Sequence, residues 1–141
     1  MDALSNADVF IGVSKGNLLT AKDIHHMNED PIIFALANPS PEILPDDAKM
    51  GGACVVATGR SDFPNQVNNA LIFPGIFKGA LEARASQITA EMKIAAAYAV
   101  ADFLKEPTAD HILPDLLEEG VSAAVAKAVK EQAYTSGVTR I

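Results

Sequence analysis

The chain has 141 residues, a length typical of one compact domain. Hydrophobic residues make up 49% of the chain and charged residues 21%, which excludes both the disordered and the membrane class. The net charge is -7 and the eleven basic residues are scattered, which argues against a nucleic-acid partner because phosphate binding depends on clustered Lys and Arg. No apolar run approaches the roughly 18 residues needed to cross a bilayer, so no membrane partner is expected.

The first part of the chain alternates short apolar runs with polar segments of helical length. The apolar runs predict three strands, over residues 9–13, 31–36 and 53–57. The polar segments predict two short helices, over residues 21–28 and 42–50. Because the runs are continuously apolar rather than alternating, they indicate a parallel sheet with helices on both faces. The predicted fold class is α/β, with a βαβαβ half sheet over residues 1–65.

The remainder of the chain, residues 66–141, is predicted to be mostly helical and to belong to the same single domain. Helices are expected over residues 68–84 with an interruption at Pro74, over 89–104 and over 122–135. One stripe of the middle helix is expected to face the core, formed by Met92, Ala95, Ala96, Ala99, Val100 and Phe103. The spacing of Gly75 and Gly79 predicts close packing between helices. Residues 106–113 are expected to form a surface loop.

Outside the loops, few side chains are candidates for catalysis or metal binding. The single cysteine, Cys54, lies in an apolar run and is interpreted as a buried strand residue. One cysteine allows no intrachain disulfide, which favours a reducing, cytoplasmic location. His25 and His26 are adjacent, so their side chains diverge on a helix, and they are interpreted as exposed. No metal ligand is assigned.

Polar loops follow each of the three predicted strands, where a parallel sheet binds its ligands. They begin at Gly12, Ala37 and Thr58 and contain amide side chains suited to a neutral polar group such as ribose or carboxamide. From the residues alone a binding role stays open, because Asn-Pro is also an ordinary turn signal. Arg60 and Asp62 are interpreted as an ion pair that braces the third loop, in preference to a phosphate or metal site.

Several long motifs carry a resemblance to a known family. The stretches ADVFIGVS, DPIIFALANPSPEILPDDA, VVATGRSDFPNQVNNALIFPGIFKGALEARA and ITAEMKIAAAYAVA, in that order over residues 7–101, resemble the bacterial malic enzymes. The last thirty residues are similar to that family's natural chain end. The resemblance implies the second half of a Rossmann-type sheet, about three parallel strands with helices on both faces and a helical C-terminal extension, in an NAD(P)-binding domain. It also implies oxidative decarboxylation of malate to pyruvate and CO2, with NAD or NADP and a divalent metal, Mg²⁺ or Mn²⁺.

The resemblance assigns site residues to three places in the chain. Asn38 matches the residue at the junction of nicotinamide and malate, Asn69 matches a substrate-side amide, and Asn68 lies beside it near the cofactor. The loop that passes the cofactor ribose is matched by Gly12, Val13 and Ser14. Residues 15–17 depart from the family pattern, which leaves the shape of that loop in doubt. Asn38 alternatively caps a turn, and Asn69 alternatively caps or braces the following helix.

Other parts of the family's machinery have no counterpart in this sequence. There is no G-x-G-x-x-G fingerprint, and the resemblance places the catalytic tyrosine and lysine and the acidic metal ligands upstream. No residue here is therefore assigned as catalytic, and the isolated chain is expected to be inactive. Its half sheet should expose an apolar edge, which predicts a homo-oligomer or association with an N-terminal part. The alternative is a non-catalytic half-Rossmann binding or oligomerisation module. The choice between NAD and NADP stays open.

Overall fold

The computed structural model describes residues 3–140 and divides the chain into two compact units. The first unit contains the residues up to Val67 together with Thr108–Ile112. The second unit contains Asn68–Pro107 and the residues from Leu113 onward. Strands are found in the first unit and the longer helices in the second.

The first unit is a three-stranded parallel sheet with two short helices. Its elements in chain order are β1 (Val9–Gly12), α1 (Ala21–Ile24), β2 (Ile32–Ala35), α2 (Pro45–Met50) and β3 (Val55–Thr58). The strand order is β1-β2-β3, and both neighbouring pairs run parallel. The predicted α/β class with about three parallel strands is therefore confirmed.

Both short helices of the first unit are shorter than the sequence pattern predicts. The helix expected over 21–28 ends after one turn, and the one expected over 42–50 begins only at Pro45. Proline suits the first turn of a helix, where its missing N–H has no intrahelical partner. α1 begins after Thr20, whose backbone N–H and hydroxyl both donate to the Asp23 carboxylate, at 2.8 and 2.7 Å.

One face of the sheet carries the core of this unit. Ile33, Ala35 and Val56 pack there with Ile24 of α1 and Ala48 of α2, and all five are buried. Successive residues of a strand point to opposite faces, so the alternate residues of the strands belong to the other face.

The second face is partly exposed at the edge strand. Val9 and Ile11 of the edge strand β1 are 46% and 62% exposed. α1 and α2 both contribute residues to the core cluster on the first face. The expected exposed apolar edge is therefore present at β1.

The interpretation of Cys54 as a buried strand residue is wrong. β3 begins one residue later, at Val55, and Cys54 is exposed. Its backbone N–H donates to the carbonyl of Pro31 at 3.0 Å, so the residue pairs with the chain before β2 while its side chain faces solvent. The apolar run correctly indicated a strand but not where burial starts.

The second unit contains one 3-10 helix (Asn69–Leu71) and three α-helices, α3 (Phe73–Glu82), α4 (Ala90–Phe103) and α5 (Val121–Thr135). Pro74 lies in the first turn of α3, so it begins the helix rather than interrupting it. On α4 the predicted stripe faces the core, with its most buried members at Met92, Ala96 and Val100. No helix among residues 3–140 is long and apolar enough to span a bilayer.

α3 and α5 approach closely at two glycines, as the spacing predicts. A Cβ atom at Gly75 would lie 2.6 Å from the Cβ of Val125. A Cβ atom at Gly79 would lie 2.9 Å from the Cβ of Val129 and still closer to the carbonyl oxygen of Ala126. Real Cβ atoms do not approach other carbons this closely, so only glycine permits this helix packing.

Candidate functional site

The candidate site lies where the three parallel strands of the first unit end. Gly12, Ala35 and Thr58 are the last residues of their strands, and the register pairs Gly12 with Ala35 and Ala35 with Thr58. The loops that follow them therefore begin at a common edge, which is where open parallel sheets bind ligands.

The first and second loops run side by side. The backbone N–H of Asn17 donates to the carbonyl of Pro41, and that of Leu19 donates to the carbonyl of Glu42, both at 2.9 Å. A Cβ atom at Gly16 would lie 2.7 Å from the carbonyl oxygen of Ser40. Gly16 belongs to the segment 15–17 that departs from the expected family pattern, and its lack of a side chain permits the two backbones to touch.

The carboxylate of Glu42 joins these two loops. Oε1 accepts a hydrogen bond from the backbone N–H of Ser14 at 2.8 Å, and the Ser14 hydroxyl lies 3.4 Å from the same oxygen. Oε2 accepts from the backbone N–H of Ala37 at 3.0 Å. Glu42 is fully buried, and a Cβ atom at Gly12 would lie 2.6 Å from Oε1. Gly12 therefore leaves the space that this carboxylate occupies.

Two opposing effects act on the pKa of Glu42. Burial raises the pKa, because it disfavours the charged form. The hydrogen bonds from the backbone N–H groups of Ser14 and Ala37 stabilise the carboxylate and hold the pKa below its ordinary value. Glu42 is therefore a buried charge at neutral pH that is compensated by backbone dipoles. Sequence analysis missed it, and the only signal was a lone acidic residue beside the apolar pair Ile43-Leu44.

The third loop carries the predicted ion pair. Arg60 donates two hydrogen bonds to Asp62, from Nε at 2.8 Å and from an Nη at 2.6 Å, and its guanidinium carbon lies 5.4 Å from the ring centre of Phe63. Its hydrogen bonds hold the pKa of Asp62 below the ordinary range. The interpretation of an internal ion pair is confirmed. The other Nη of Arg60 donates to the carbonyl of Pro39 at 3.3 Å, so the third loop also contacts the second.

A buried amide, Asn65, holds the end of the third loop and was not singled out from sequence. Its Nδ2 donates to the carbonyls of Val56 and Ala109, at 3.0 and 2.8 Å. Its Oδ1 accepts from the backbone N–H of Ile112 at 2.9 Å. The segment 108–112, part of the predicted surface loop, is thereby tied to β3 by one side chain. The sequence contains no signal that separates Asn65 from the other amides of this loop.

Asn38 lies between two anchored neighbours. The N–H of Ala37 is bound by Glu42, and the carbonyl of Pro39 is bound by Arg60. The Asn38 side chain is exposed and forms no hydrogen bond with any residue in the range 3–140. The alternative interpretation, an asparagine that caps the turn, is therefore not what the structure contains. The Asn38 side-chain amide is thus unpaired among the described residues, while hydrogen bonds hold the backbone on both sides of it.

The first loop presents its predicted residues in different ways. Gly12 is buried, Ser14 is bound to Glu42, and Val13 between them is 77% exposed. Through Glu42 the structure brings the Gly12 to Ser14 segment next to the segment that carries Asn38.

Asn68 and Asn69 belong to the second unit. Asn68 precedes the 3-10 helix, and its Oδ1 accepts a hydrogen bond from the backbone N–H of Ala70 at 2.9 Å. Asn69 is the first residue of that helix, and its exposed side chain has no hydrogen-bond partner in the described part of the chain. The capping role considered for Asn69 is performed by Asn68.

Acidic and histidine side chains do not gather into a metal site within the residues that the structure describes. No group of three or more His, Cys, Asp or Glu side chains lies close enough together to hold an ion there. His25 and His26 follow α1 and are exposed, as predicted.

Comparison with known proteins establishes the family. The family model described as "Malic enzyme, NAD binding domain" matches residues 4–134. The chain belongs to the malic enzyme family. It is 56% identical to the bifunctional malic/malolactic enzyme of Bacillus subtilis and 50% identical to the NAD-dependent malic enzyme of Geobacillus stearothermophilus, in both cases over 99% of this chain.

A solved malic enzyme confirms the fold. The crystal structure of the enzyme from Pyrococcus horikoshii matches with a TM-score of 0.96 and 52% identity over 99% of this chain. This chain covers 33% of that protein, 35% of the Bacillus subtilis enzyme and 29% of the Geobacillus stearothermophilus enzyme. It thus spans about a third of the length of these three proteins. The relatives include enzymes named as NAD-dependent and as NADP-dependent. The resemblance stated from the sequence motifs is confirmed.

Proposed function

We propose that this chain forms the nicotinamide-side wall of the active site in a malic enzyme that oxidatively decarboxylates malate to pyruvate and CO2. NAD or NADP is the proposed cofactor, and Mg²⁺ or Mn²⁺ the proposed metal. The chain by itself is expected to be inactive, since no residue in it is assigned a catalytic role. The proposal rests on membership of the malic enzyme family and on one structural observation, the unengaged amide of Asn38 at the carboxyl edge of the sheet.

The residues present suit one end of a dinucleotide. The absence of a side chain at Gly12 admits the Glu42 carboxylate that binds the N–H of Ser14, so Gly12 would act on the ribose through the backbone of its loop. An amide such as Asn38 both donates to a carbonyl and accepts from an N–H. These groups are neutral and match a ribose or a carboxamide better than a phosphate. The bound dinucleotide supplies the hydride acceptor, and this chain orients it.

We propose that the exposed amides act on malate as well as on the cofactor. Asn38 would donate to the substrate at its junction with the nicotinamide, and Asn69 is proposed as a further substrate-side amide, on the family resemblance alone. Asn68, whose Oδ1 already accepts a hydrogen bond from Ala70, would contact the cofactor through its Nδ2. The Val13 and Ser14 backbone would contact the ribose. The donor set of the described residues does not suit a divalent ion, so no step is assigned to the metal here.

The edge strand supports a proposal about partners. Val9, Ile11 and Leu18 are exposed beside an apolar groove of about 460 Å³ along β1. Within residues 3–140, β1 pairs with a strand on one side only. Exposed apolar strands of this kind recruit another strand or another apolar surface. The proposed occupant is either an N-terminal part of the same enzyme or a second copy of the chain.

The same surface favours a second candidate function. A non-catalytic half-Rossmann module that binds or oligomerises would use the β1 edge and would not need the amides. Removing the Asn38 and Asn69 side chains distinguishes the two candidates. If the chain forms the active-site wall, we expect turnover to be lost; a module that only binds or oligomerises should assemble as before.

A chimaera tests the proposed function directly. The third of the Bacillus subtilis enzyme that matches this chain is replaced with it, and malate-dependent reduction of NAD and NADP is measured with Mn²⁺ or Mg²⁺. We expect the chimaera to be active and its Asn38→Ala variant to lose about a hundredfold in kcat/KM, the usual loss when a substrate-side donor is removed. The 141-residue chain alone should show no turnover.

The matched control is Ser40→Ala, which truncates another exposed side chain of the same loop. It should retain the activity of the unmodified chimaera. A folded chimaera without malate-dependent activity would overturn the proposed function. Turnover by the 141-residue chain alone would overturn the expectation of inactivity.

A further inference from the structure

Two backbone donors from different loops converge on one buried carboxylate. The N–H of Ser14 follows β1 and the N–H of Ala37 follows β2, and they bind opposite oxygens of Glu42 at 2.8 and 3.0 Å. Ser14 is 28 residues away from Glu42 along the chain, so the first of these bonds is a tertiary contact and not part of a local turn. The Glu42 carboxylate therefore links the starts of the two loops, in addition to the direct backbone hydrogen bonds between them.

The surroundings of the Glu42 carboxylate disfavour any other type of side chain at position 42. Glu42 is fully buried, and a Cβ atom at Gly12 would lie 2.5 Å from its Cδ. Burying a charge is costly unless donors compensate it, and here two backbone N–H groups do so. An apolar side chain at position 42 would leave both donors buried or half-buried without a partner.

The anchored segments carry the exposed groups of the candidate site. Val13 lies next to Ser14, and Asn38 lies next to Ala37. Each exposed residue is therefore the sequence neighbour of a residue whose backbone N–H is bound by Glu42. Arg60 holds Pro39 on the other side of Asn38. Small displacements of a donor reduce catalysis strongly, so fixing these backbones has a functional consequence.

We propose that Glu42 is a positioning residue, which fixes the loop of Val13 and Ser14 against the loop of Asn38 so that both face one ligand in register. That both loops face a ligand rests on the function proposed above. Glu42 itself does not touch the ligand. Its carboxylate acts only through the backbone of the two loops.

Glu42→Gln is the most informative substitution because it preserves the shape of the side chain. A carboxylate offers two acceptors, whereas an amide offers one acceptor and one donor group. In the variant an NH2 group must face either the N–H of Ser14 or the N–H of Ala37, and one of the two bonds is lost. Glu29→Gln is the matched control, since Glu29 is exposed in the turn after α1.

Amide hydrogen exchange of the 141-residue chain, followed by NMR, tests the positioning role without any ligand. We expect the Ser14 and Ala37 amides to be protected in the unmodified chain. Glu42→Gln should accelerate exchange of at least one of them by about tenfold or more, the effect expected from losing a hydrogen bond to a charged group. Glu29→Gln should leave both unchanged. Unprotected amides, or protection that Glu42→Gln leaves intact, would overturn the proposal.

A second measurement, a pH titration followed by NMR, uses only the unmodified chain. The amide shifts of Ser14 and Ala37, recorded from pH 7 downward, should move together with one shared midpoint, because one carboxylate binds both. The ionisable residues nearest in sequence are Lys15 in the first loop and Asp46 in α2, and neither hydrogen-bonds the Glu42 carboxylate among the described contacts. Separate midpoints, or no titration, would overturn the proposal.

The chimaera separates failure of the positioning role from failure of the proposed function. In an active chimaera Glu42→Gln should lower kcat/KM at least about tenfold, while Glu29→Gln should not. An inactive chimaera combined with a shared titration of the two amides would overturn the proposed function and support the positioning of the loops. An active chimaera that Glu42→Gln leaves unchanged would overturn the role of Glu42 toward the ligand.

Discussion

The Oδ1 atom of Asn68 accepts a hydrogen bond from the backbone N–H of Ala70 at 2.9 Å. Asn69, the next residue, has an exposed side chain that contacts no hydrogen-bonding partner within residues 3–140. The two neighbouring asparagines thus differ: the Asn68 side chain caps the 3-10 helix, whereas the Asn69 side chain is exposed to solvent. This difference can be measured.

Asn68→Ala should destabilise the chain by about 1 kcal/mol, the usual cost of removing a helix cap, because the N–H of Ala70 loses its acceptor. Asn69→Ala should change the free energy of unfolding by less than about 0.5 kcal/mol. Urea denaturation of both variants measures the difference. Equal destabilisation by the two substitutions would contradict this assignment.

In the chimaera, Asn69→Ala should affect malate binding more than Asn68→Ala does, the reverse of their order in stability. Asn69→Ala should raise the KM for malate about tenfold or more, because an exposed substrate-side amide is lost. Steady-state kinetics at saturating cofactor measures it. An unchanged KM for malate would remove Asn69 from the proposed substrate site while leaving the capping result intact.

The buried carboxylate of Glu42 predicts a pH dependence of stability. Because hydrogen bonds from Ser14 and Ala37 hold its folded pKa below the unfolded value of about 4.3, its contribution is complete above that pH. The contribution is lost as the pH falls through the folded pKa. Glu42→Gln should therefore be less stable than the unmodified chain by about 2 kcal/mol at pH 7, and the gap should narrow below about pH 4.

Urea unfolding at pH 7, 5, 4 and 3 measures this gap, with Glu29→Gln as the control that should show none. The opposite sign, a gap that widens on acidification, would mean that the folded state raises the pKa of Glu42. A gap independent of pH would mean that shape alone, and not charge, accounts for its effect.

Helix packing in the second unit gives a prediction about stability alone. Gly79→Ala places a methyl group 2.9 Å from the Cβ of Val129, so α3 and α5 must separate. We expect a loss of about 2 kcal/mol, typical of overpacking in a rigid core. Gly59→Ala is the control, since its Cβ would meet only the carbonyl oxygen of Leu36 at 4.0 Å. Thermal unfolding compares them, and equal losses would contradict the close approach.

The exposed edge strand predicts self-association of the isolated chain. Ile11→Lys places a charge in the apolar surface of β1 and should weaken association at least about tenfold in sedimentation equilibrium. Leu117→Lys is the control, because Leu117 is 97% exposed and belongs to the loop before α5. A chain that is monomeric at all concentrations would leave an N-terminal part of the enzyme as the proposed occupant of this edge.

Local patterns account for the parts of the structure that sequence analysis predicted correctly. The three apolar runs became the three strands in sequence order, and α4 and α5 ended within about one residue of their predicted limits, as expected for strong periodic signals. Arg60 and Asp62 are two residues apart and paired as expected. In each case the interacting groups are close in the chain, so the sequence contains the information.

The failures concern burial and long-range contacts. Cys54 lies in an apolar run but one residue before β3, and its side chain is exposed. The sequence predicted an exposed apolar edge without saying which side chains form it, and the structure has Val9 and Ile11 exposed there. Composition cannot determine which face of an element a neighbour covers, because that depends on packing between distant segments.

By itself the sequence determined the fold class, the three parallel strands in chain order, the malic enzyme family and the loop that carries Asn38. Only the tertiary structure decided that Glu42 binds the loops of Ser14 and Ala37 together and that Asn65 holds the segment 108–112. A repeating pattern reports local conformation, whereas a buried polar side chain is defined by the donors and acceptors that distant parts of the chain bring to it.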